Sequence, residues 1–172
     1  MALKLEDKKA IVEDVAQIAG GALSAAAADY SGLSVGQMNA LRLDARNSGV
    51  YLRVVRNTLA RRALAGTEFE CMVEALTGPL VLAFSQEDPG AAARLFKNFS
   101  KDNKALEVRH LALSGQLLGA DQLDRVAKLP TYDQAIAMLM SVMKAPITKL
   151  VRTMAEPTAK MVRTFAALKD VK

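Results

Sequence analysis

A mixed α/β domain followed by one long C-terminal helix is the fold class this sequence predicts. Three observations predict it. Short β-branched or apolar runs alternate with helical patterns over the first three quarters of the chain. Capping signals and glycines punctuate those patterns. After Pro130 the composition changes, and an eleven-residue repeat with helical geometry takes over. The expected organisation is a globular domain over 1–130, with strands and packed helices, and a proline-kinked helix over 131–172.

The elements can be argued in order. Leu5, Val12, Val15, Ile18 and Ala19 recur at helical spacing, and Gly20-Gly21 should stop that helix. Residues 22–30 (ALSAAAADY) are ambiguous: alanine favours helix, whereas length and flanks allow a buried strand. Ser34-x-x-Gln37 is a capping box, and the helix it opens should end at Gly49. VYLRVV at 50–55 reads as a strand. Asn57 is placed to cap a short helix closed by Gly66, and Thr67-x-x-Glu70 is a second capping box. PLVLAFS at 79–85 is an apolar strand. Asp88 should cap a helix over 90–99, with Ala92, Leu95, Phe96 and Phe99 on one face. Residues 106–118 read as a strand pair around Ser114-Gly115, and a short helix should follow over 121–128. Thr131-x-x-Gln134, a third capping box, opens the tail.

The 172 residues suffice for one domain plus an appendage. Aromatics make up 5% and Trp is absent, so the core must come from Leu, Val, Ala, Ile and Met. One cysteine, Cys71, leaves no internal disulfide and suits a reducing compartment. The first residues lack a continuous apolar core of the signal-peptide kind, and no apolar run approaches a membrane span. A cytosolic protein is expected. Net charge is +5, and it is concentrated. Arg42, Arg46, Arg53, Arg56, Arg61 and Arg62 face the single acid Asp44 within one short stretch. The tail from Thr131 holds seven Lys or Arg against three acids. Each concentration needs a partner or a reason.

The tail repeats. Pro146 and Pro157 are eleven residues apart; KLVRTMAEP at 149–157 and KMVRTFAAL at 160–168 share five of nine positions. MLMSVMKAP at 138–146 is a weaker copy. Eleven residues are close to three helical turns, so equivalent side chains return to one face, turned by about 20° and roughly 16 Å further on. The recurrent apolar sets are Ile136, Leu139, Met140 and Met143; Ile147, Leu150, Val151 and Met154; and Met161, Val162 and Phe165, with Thr158 as the weak member. Lys149, Arg152, Lys160 and Arg163 flank them. A helix over 131–172 would be about 63 Å long. A 130-residue globule is only roughly 36 Å across, so much of the stripe should be exposed, and such a stripe signals a partner. Four apolar side chains per site contribute about 6–12 kcal/mol gross, and association costs a comparable amount. The partner should therefore have a large apolar surface of its own, such as a helical dimer. Five of the eight methionines lie here, which suits an adaptable contact face. Two other readings remain open: prolines that break the tail into three back-folded helices, or a helix lying on a membrane surface.

RVVRNTLARR at 53–62 runs from strand into helix. Arg53 should face out from the strand. Arg56 precedes the helix start, where free N–H groups favour phosphate, and Arg61 and Arg62 lie one turn on. Guanidinium groups on one edge suit a phosphate backbone. A solvated, salt-bridged face is the alternative. Lys4, Lys8 and Lys9 could extend the patch, but Glu6, Asp7 and Glu13 lie among them.

No enzyme is visible. His110 alternates with apolar residues and reads as structural, and Cys71 reads as a small core residue. Metal-ligand pairs, phosphate loops and nucleophile motifs are missing from the sequence. Neither a cofactor nor a metal is expected.

Several segments together resemble the family of bacterial large-subunit ribosomal protein ten, the stalk-base protein. They are MAL…DKKAIV at the start, GVYLRVVRNTLARRAL at 49–64, GTEFECM at 66–72, PGAAARLFK at 89–97, LPTYDQAIA at 129–137 and KLVRT at 149–153. The resemblance spans the whole chain. It implies an α/β domain that binds large-subunit ribosomal RNA at the stalk base, beside ribosomal protein eleven. It implies a C-terminal helix that carries dimers of the acidic stalk protein, ribosomal protein seven/twelve, which recruit translational GTPases. It also implies autogenous repression of translation through a leader RNA, and a place in the cytoplasmic large subunit. The family's RNA-contacting stretch maps onto Arg53, Arg56, Asn57, Thr58, Arg61 and Arg62. Residues 22–30 become a strand on the same ground. Family tails carry two or three dimers; the three repeats here predict three. The competing reading is a free RNA-binding regulator that oligomerises through its tail.

Overall fold

The computed structural model describes residues 4–103 and 105–170. The opening Met-Ala-Leu of the resemblance, and the outermost residues of both expected domains, lie outside the described residues. The chain divides after Thr131 into two compact units.

In the first unit the elements run α1 (Leu5–Gly21), β1 (Ser24–Asp29), α2 (Val35–Asn47), β2 (Val50–Val54), α3 (Asn57–Leu64), β3 (Leu80–Ser85), α4 (Ala91–Asp102), β4 (Glu107–Leu113), β5 (Gln116–Gly119) and α5 (Leu123–Ala127). Single 3-10 turns at Glu70–Met72 and Ala120–Gln122 complete the path. The mixed α/β class is borne out. The five strands form one sheet in the order β2-β3-β1-β4-β5, antiparallel at every pairing. The units β1-α2-β2 and β3-α4-β4 each skip one place, and each fills the gap left by the other. This is a doubled split βαβ arrangement.

Helices cover both faces of the sheet. On one side Val15, Ala19, Leu59, Ala63 and Leu64 of α1 and α3 meet Ala25, Ala27, Leu82 and Phe84. Phe69 completes this layer, edge-on to Phe84 with ring centroids 6.2 Å apart. On the other side Leu41, Ala45, Ala92, Phe96 and Phe99 of α2 and α4 meet Ala26, Ala28, Val81, Ala83 and Leu111. The ambiguity at 22–30 resolves here. β1 is the central strand, buried on both faces, so it shows no polar alternation. A β-bulge opposite Ala27/Ala28 shifts the register of β4 at Arg109. It lets Val108 and Leu111, three residues apart, share one face.

Several expected boundaries shift. α1 continues through both glycines to Gly21, and Ala22 closes it. Asp88 accepts from the Gly90 N–H at 2.9 Å, just ahead of the helix, and α4 begins at Ala91. Asn57 does not cap α3. It is the first helical residue, and its amide donates to the Gly78 carbonyl at 2.8 Å. Arg56 holds the cap position, where its carbonyl accepts from the N–H groups of Leu59 and Ala60. Thr67-x-x-Glu70 opens no α-helix. The Thr67 hydroxyl donates back to the Leu64 carbonyl at 2.7 Å, and only a single 3-10 turn follows. The Ser34–Gln37 box does form, with bonds of 2.9 and 3.3 Å in the two directions. Ser114 (φ 48°) and Gly115 (φ 78°) make the two-residue turn between β4 and β5.

The second unit is one helix, α6 (Tyr132–Asp170), 39 residues long. It runs without a break through Pro146 and Pro157, so the three-helix alternative is set aside.

Candidate nucleic-acid surface and docking helix

The six basic-segment residues gather around the junction of β2 and α3, but they are not equivalent. Arg53 lies on the sheet face that carries Tyr51 and Val55, beneath α1. Its guanidinium donates to the Tyr51 hydroxyl at 3.0 Å and to Asp14 of α1 at 3.3 Å. The tyrosine bond first, then the Asp14 carboxylate, raises its pKa above the ordinary arginine value. The outward-facing expectation therefore needs correction. Arg53 is half-buried because β2 is an edge strand whose α1 side offers two acceptors. Asn57 and Arg61 also spend a donor inside the protein: the Arg61 guanidinium donates to the Leu76 carbonyl at 2.9 Å. Together they tie the 76–78 turn to α3. Arg56, Thr58, Arg61 and Arg62 are exposed. None of these three arginines makes an ion pair among the described residues. Arg62 lines a groove with Leu5, Val12 and Leu59, and Lys8, Lys9 and the acid Glu13 of α1 line it too. The first-helix lysines thus stand beside the arginine segment, together with Glu13.

Sequence reasoning missed a second arginine. Arg94 on α4 pairs with Asp88 at 2.8 Å and donates to the carbonyls of Ala127 (3.0 Å) and Leu129 (2.9 Å). One guanidinium thus fastens the end of the first unit to α4. The spacing of Asp88 and Arg94 in sequence carried no hint of it, because two of its acceptors are backbone atoms more than 30 residues away. Arg109, at the bulge, reaches Asp29 at 3.4 Å. The Ser31 backbone N–H, then its side chain, and more weakly Arg109, hold the Asp29 carboxyl below the usual range. His110 is half-buried in β4 opposite Ala27, and Cys71 is half-buried beside the α1/α3 core. Among the described residues no group of three or more His, Cys, Asp or Glu is arranged to hold a metal ion.

On α6 the predicted platforms form a single stripe. At 3.6 residues per turn its members span an arc of about 140°. Leu139, Met140, Met143, Ile147, Leu150, Val151, Met154, Met161, Val162 and Phe165 are exposed, from 51% at Met140 to 74% at Met154. Ile136 is half-buried. Lys149, Arg152, Lys160 and Arg163 stand roughly 130–170° from the centre of the arc, on the back of the helix rather than at its margins. The second and third copies also share a backbone detail. Thr153 donates to the Leu150 carbonyl at 2.8 Å, and Thr164 makes the same bond to Met161 at 2.8 Å. By length and composition α6 is also long and apolar enough to cross a membrane, a possibility the run-length reading above had not registered. The basic back of its second half opposes that use, since each such charge is costly in hydrocarbon.

A body with Arg56, Arg61 and Arg62 exposed at the start of and along α3, followed by a helix with an uncovered apolar stripe, has the features of a structural scaffold. Comparison with known proteins narrows this. Residues 3–101 match the family model "Ribosomal protein L10", and residues 129–156 match "Ribosomal protein uL10 C-terminal region". Proteins named large ribosomal subunit protein uL10 from Francisella tularensis subsp. holarctica (strain LVS), subsp. novicida (strain U112) and subsp. mediasiatica (strain FSC147) are each 61% identical to the chain over 172 residues, the full length of both. The chain belongs to the ribosomal protein L10 family. It is a structural, non-enzymatic protein of the large subunit of the cytoplasmic ribosome.

Proposed function

We propose that the first unit binds large-subunit ribosomal RNA at the stalk base, beside ribosomal protein eleven, and that α6 carries dimers of the acidic stalk protein that recruit translational GTPases. The observation that carries the reading is the uncovered stripe of α6, repeated every eleven residues along one unbroken helix. An apolar face of that size calls for a cover, and a dimer with an apolar surface of its own supplies it. The exposed Arg56, Thr58 and Arg62 act on RNA phosphates, whereas Arg53, Asn57 and Arg61 shape the rim that presents them. Binding of a leader RNA by the same surface accounts for repression of the protein's own operon.

Three dimers dock, centred on Leu139, Leu150 and Met161. The first two platforms fall within the matched segment 129–156. The third rests on its sequence repeat. Native mass spectrometry of the chain saturated with stalk protein tests the count. Six stalk copies per chain are expected; a complex that stops at four overturns the three-site reading.

A further inference from the structure

The end of the sheet where β1 and β2 finish and β3 begins carries a shallow, open hollow of about 360 Å³. Tyr30, Arg56, Asn57, Thr58, Gly78 and Pro79 line it. They come from three separate stretches of sequence, and the strand order β2-β3-β1 sets them side by side. The hollow is held from both flanks. The Tyr30 N–H donates to the Pro79 carbonyl at 3.4 Å, and the Asn57 amide grips the Gly78 carbonyl at 2.8 Å. Gly78 sits at φ +88° with open space where a side chain would be. Tyr30 is half-buried against the α2/α4 core and also lines the hollow.

We propose that this hollow receives one unstacked nucleobase of the bound RNA, with its ring against Tyr30 and its phosphate on Arg56. The inference rests on the RNA-binding reading and deepens it. An RNA duplex hides its base edges in a deep, narrow groove, so proteins that select an RNA site read bases splayed out of loops and bulges, stacked on aromatic rings. Tyr30 supplies the aromatic face, Arg56 the exposed cation, and Thr58 a hydroxyl open to solvent. Elsewhere along the arginine segment the other aromatic ring, Tyr51, has its hydroxyl bound to Arg53. The partner is a loop or bulge of large-subunit ribosomal RNA.

The test is equilibrium binding of the full chain to transcribed large-subunit ribosomal RNA at several salt concentrations. Tyr30→Leu is expected to weaken binding about tenfold, the loss of one base–aromatic stack, with the salt slope unchanged. Tyr30→Phe keeps the ring and should bind within about twofold of the wild type. Arg56→Ala should weaken binding and flatten the slope. A wild-type chain that does not bind the RNA overturns the RNA reading itself. A wild-type chain that binds, with Tyr30→Leu binding equally well, overturns only the base site. If Tyr30→Leu lowers the melting temperature, the wild-type chain decides the matter. Photocrosslinking to 4-thiouridine-bearing RNA should then mark Tyr30 or residues 56–58, and crosslinks confined to other segments reject the hollow.

Discussion

Gly90 shows how a single missing methyl group can hold an architecture. A Cβ there would lie 2.8 Å from the Arg94 guanidinium and 3.1 Å from the Val126 carbonyl. The guanidinium cannot retreat without leaving the carbonyls of Ala127 and Leu129. Gly90→Ala is therefore expected to destabilise the first unit by about 1–3 kcal/mol, a typical cost of overpacking. Thermal unfolding of the variant measures it. Asp29 makes a pH-dependent contribution. Its carboxyl is held below the ordinary aspartate value, so the folded state favours the ionised form. That stability is fully present above the unfolded-state pKa, about 3.9, and is lost as pH falls through the folded value. Asp29→Asn should lower the melting temperature at pH 7, and the gap to the wild type should close in acid below that range. A gap that stays constant from pH 7 to pH 3 contradicts the assignment.

Among the elements, β1 and α6 use small and large apolar residues for opposite ends. The four consecutive alanines of β1 let helices press on the sheet from both sides, with every one buried. Ala27→Leu would add three carbon atoms in a layer already filled by Val15, Leu82 and Phe84. A loss of about 1–3 kcal/mol is expected from overpacking, read from denaturant unfolding. α6 does the reverse: its bulky Met, Leu, Ile and Phe side chains stay exposed, so their burial energy is not spent within the chain. Leu150→Asp with Met154→Asp should remove one dimer, lowering the stalk count by two copies in native mass spectrometry while α6 stays helical by circular dichroism. The prolines each delete one helical hydrogen bond, yet the helix continues through them. The elements were legible in the sequence to different degrees. Helices opened by a true side-chain bond, such as Ser34–Gln37, could be placed directly. Thr67 and Asn57 carry the same residue types, but their side chains bond backwards or across to another segment. Only the tertiary neighbours decide which bond a short polar side chain makes.

At the scale of the whole molecule, the proposed function assigns RNA binding to the first unit and stalk-protein docking to α6. The stripe variant should leave ribosomal RNA affinity unchanged. Arg56→Ala with Arg62→Ala should weaken RNA binding and reduce its salt slope by about two, with the stalk count unchanged. Filter-binding titrations and native mass spectrometry on both variants check this, and equal impairment of both activities by both variants contradicts the division.

The α/β class, the position of the tail, its eleven-residue stripe and the concentration of arginines were determined by the sequence, because periodicity, capping and charge are local and can be read in order along the chain. Tertiary structure decided which strands are neighbours, and hence that Tyr30, Arg56 and Gly78 share one hollow. It decided that Arg53 turns inward to Asp14, and that Arg94 fastens a segment more than 30 residues away. The physical reason is the same throughout. These are hydrogen bonds and contacts between residues distant in sequence, and their partners exist only once the sheet has chosen its order.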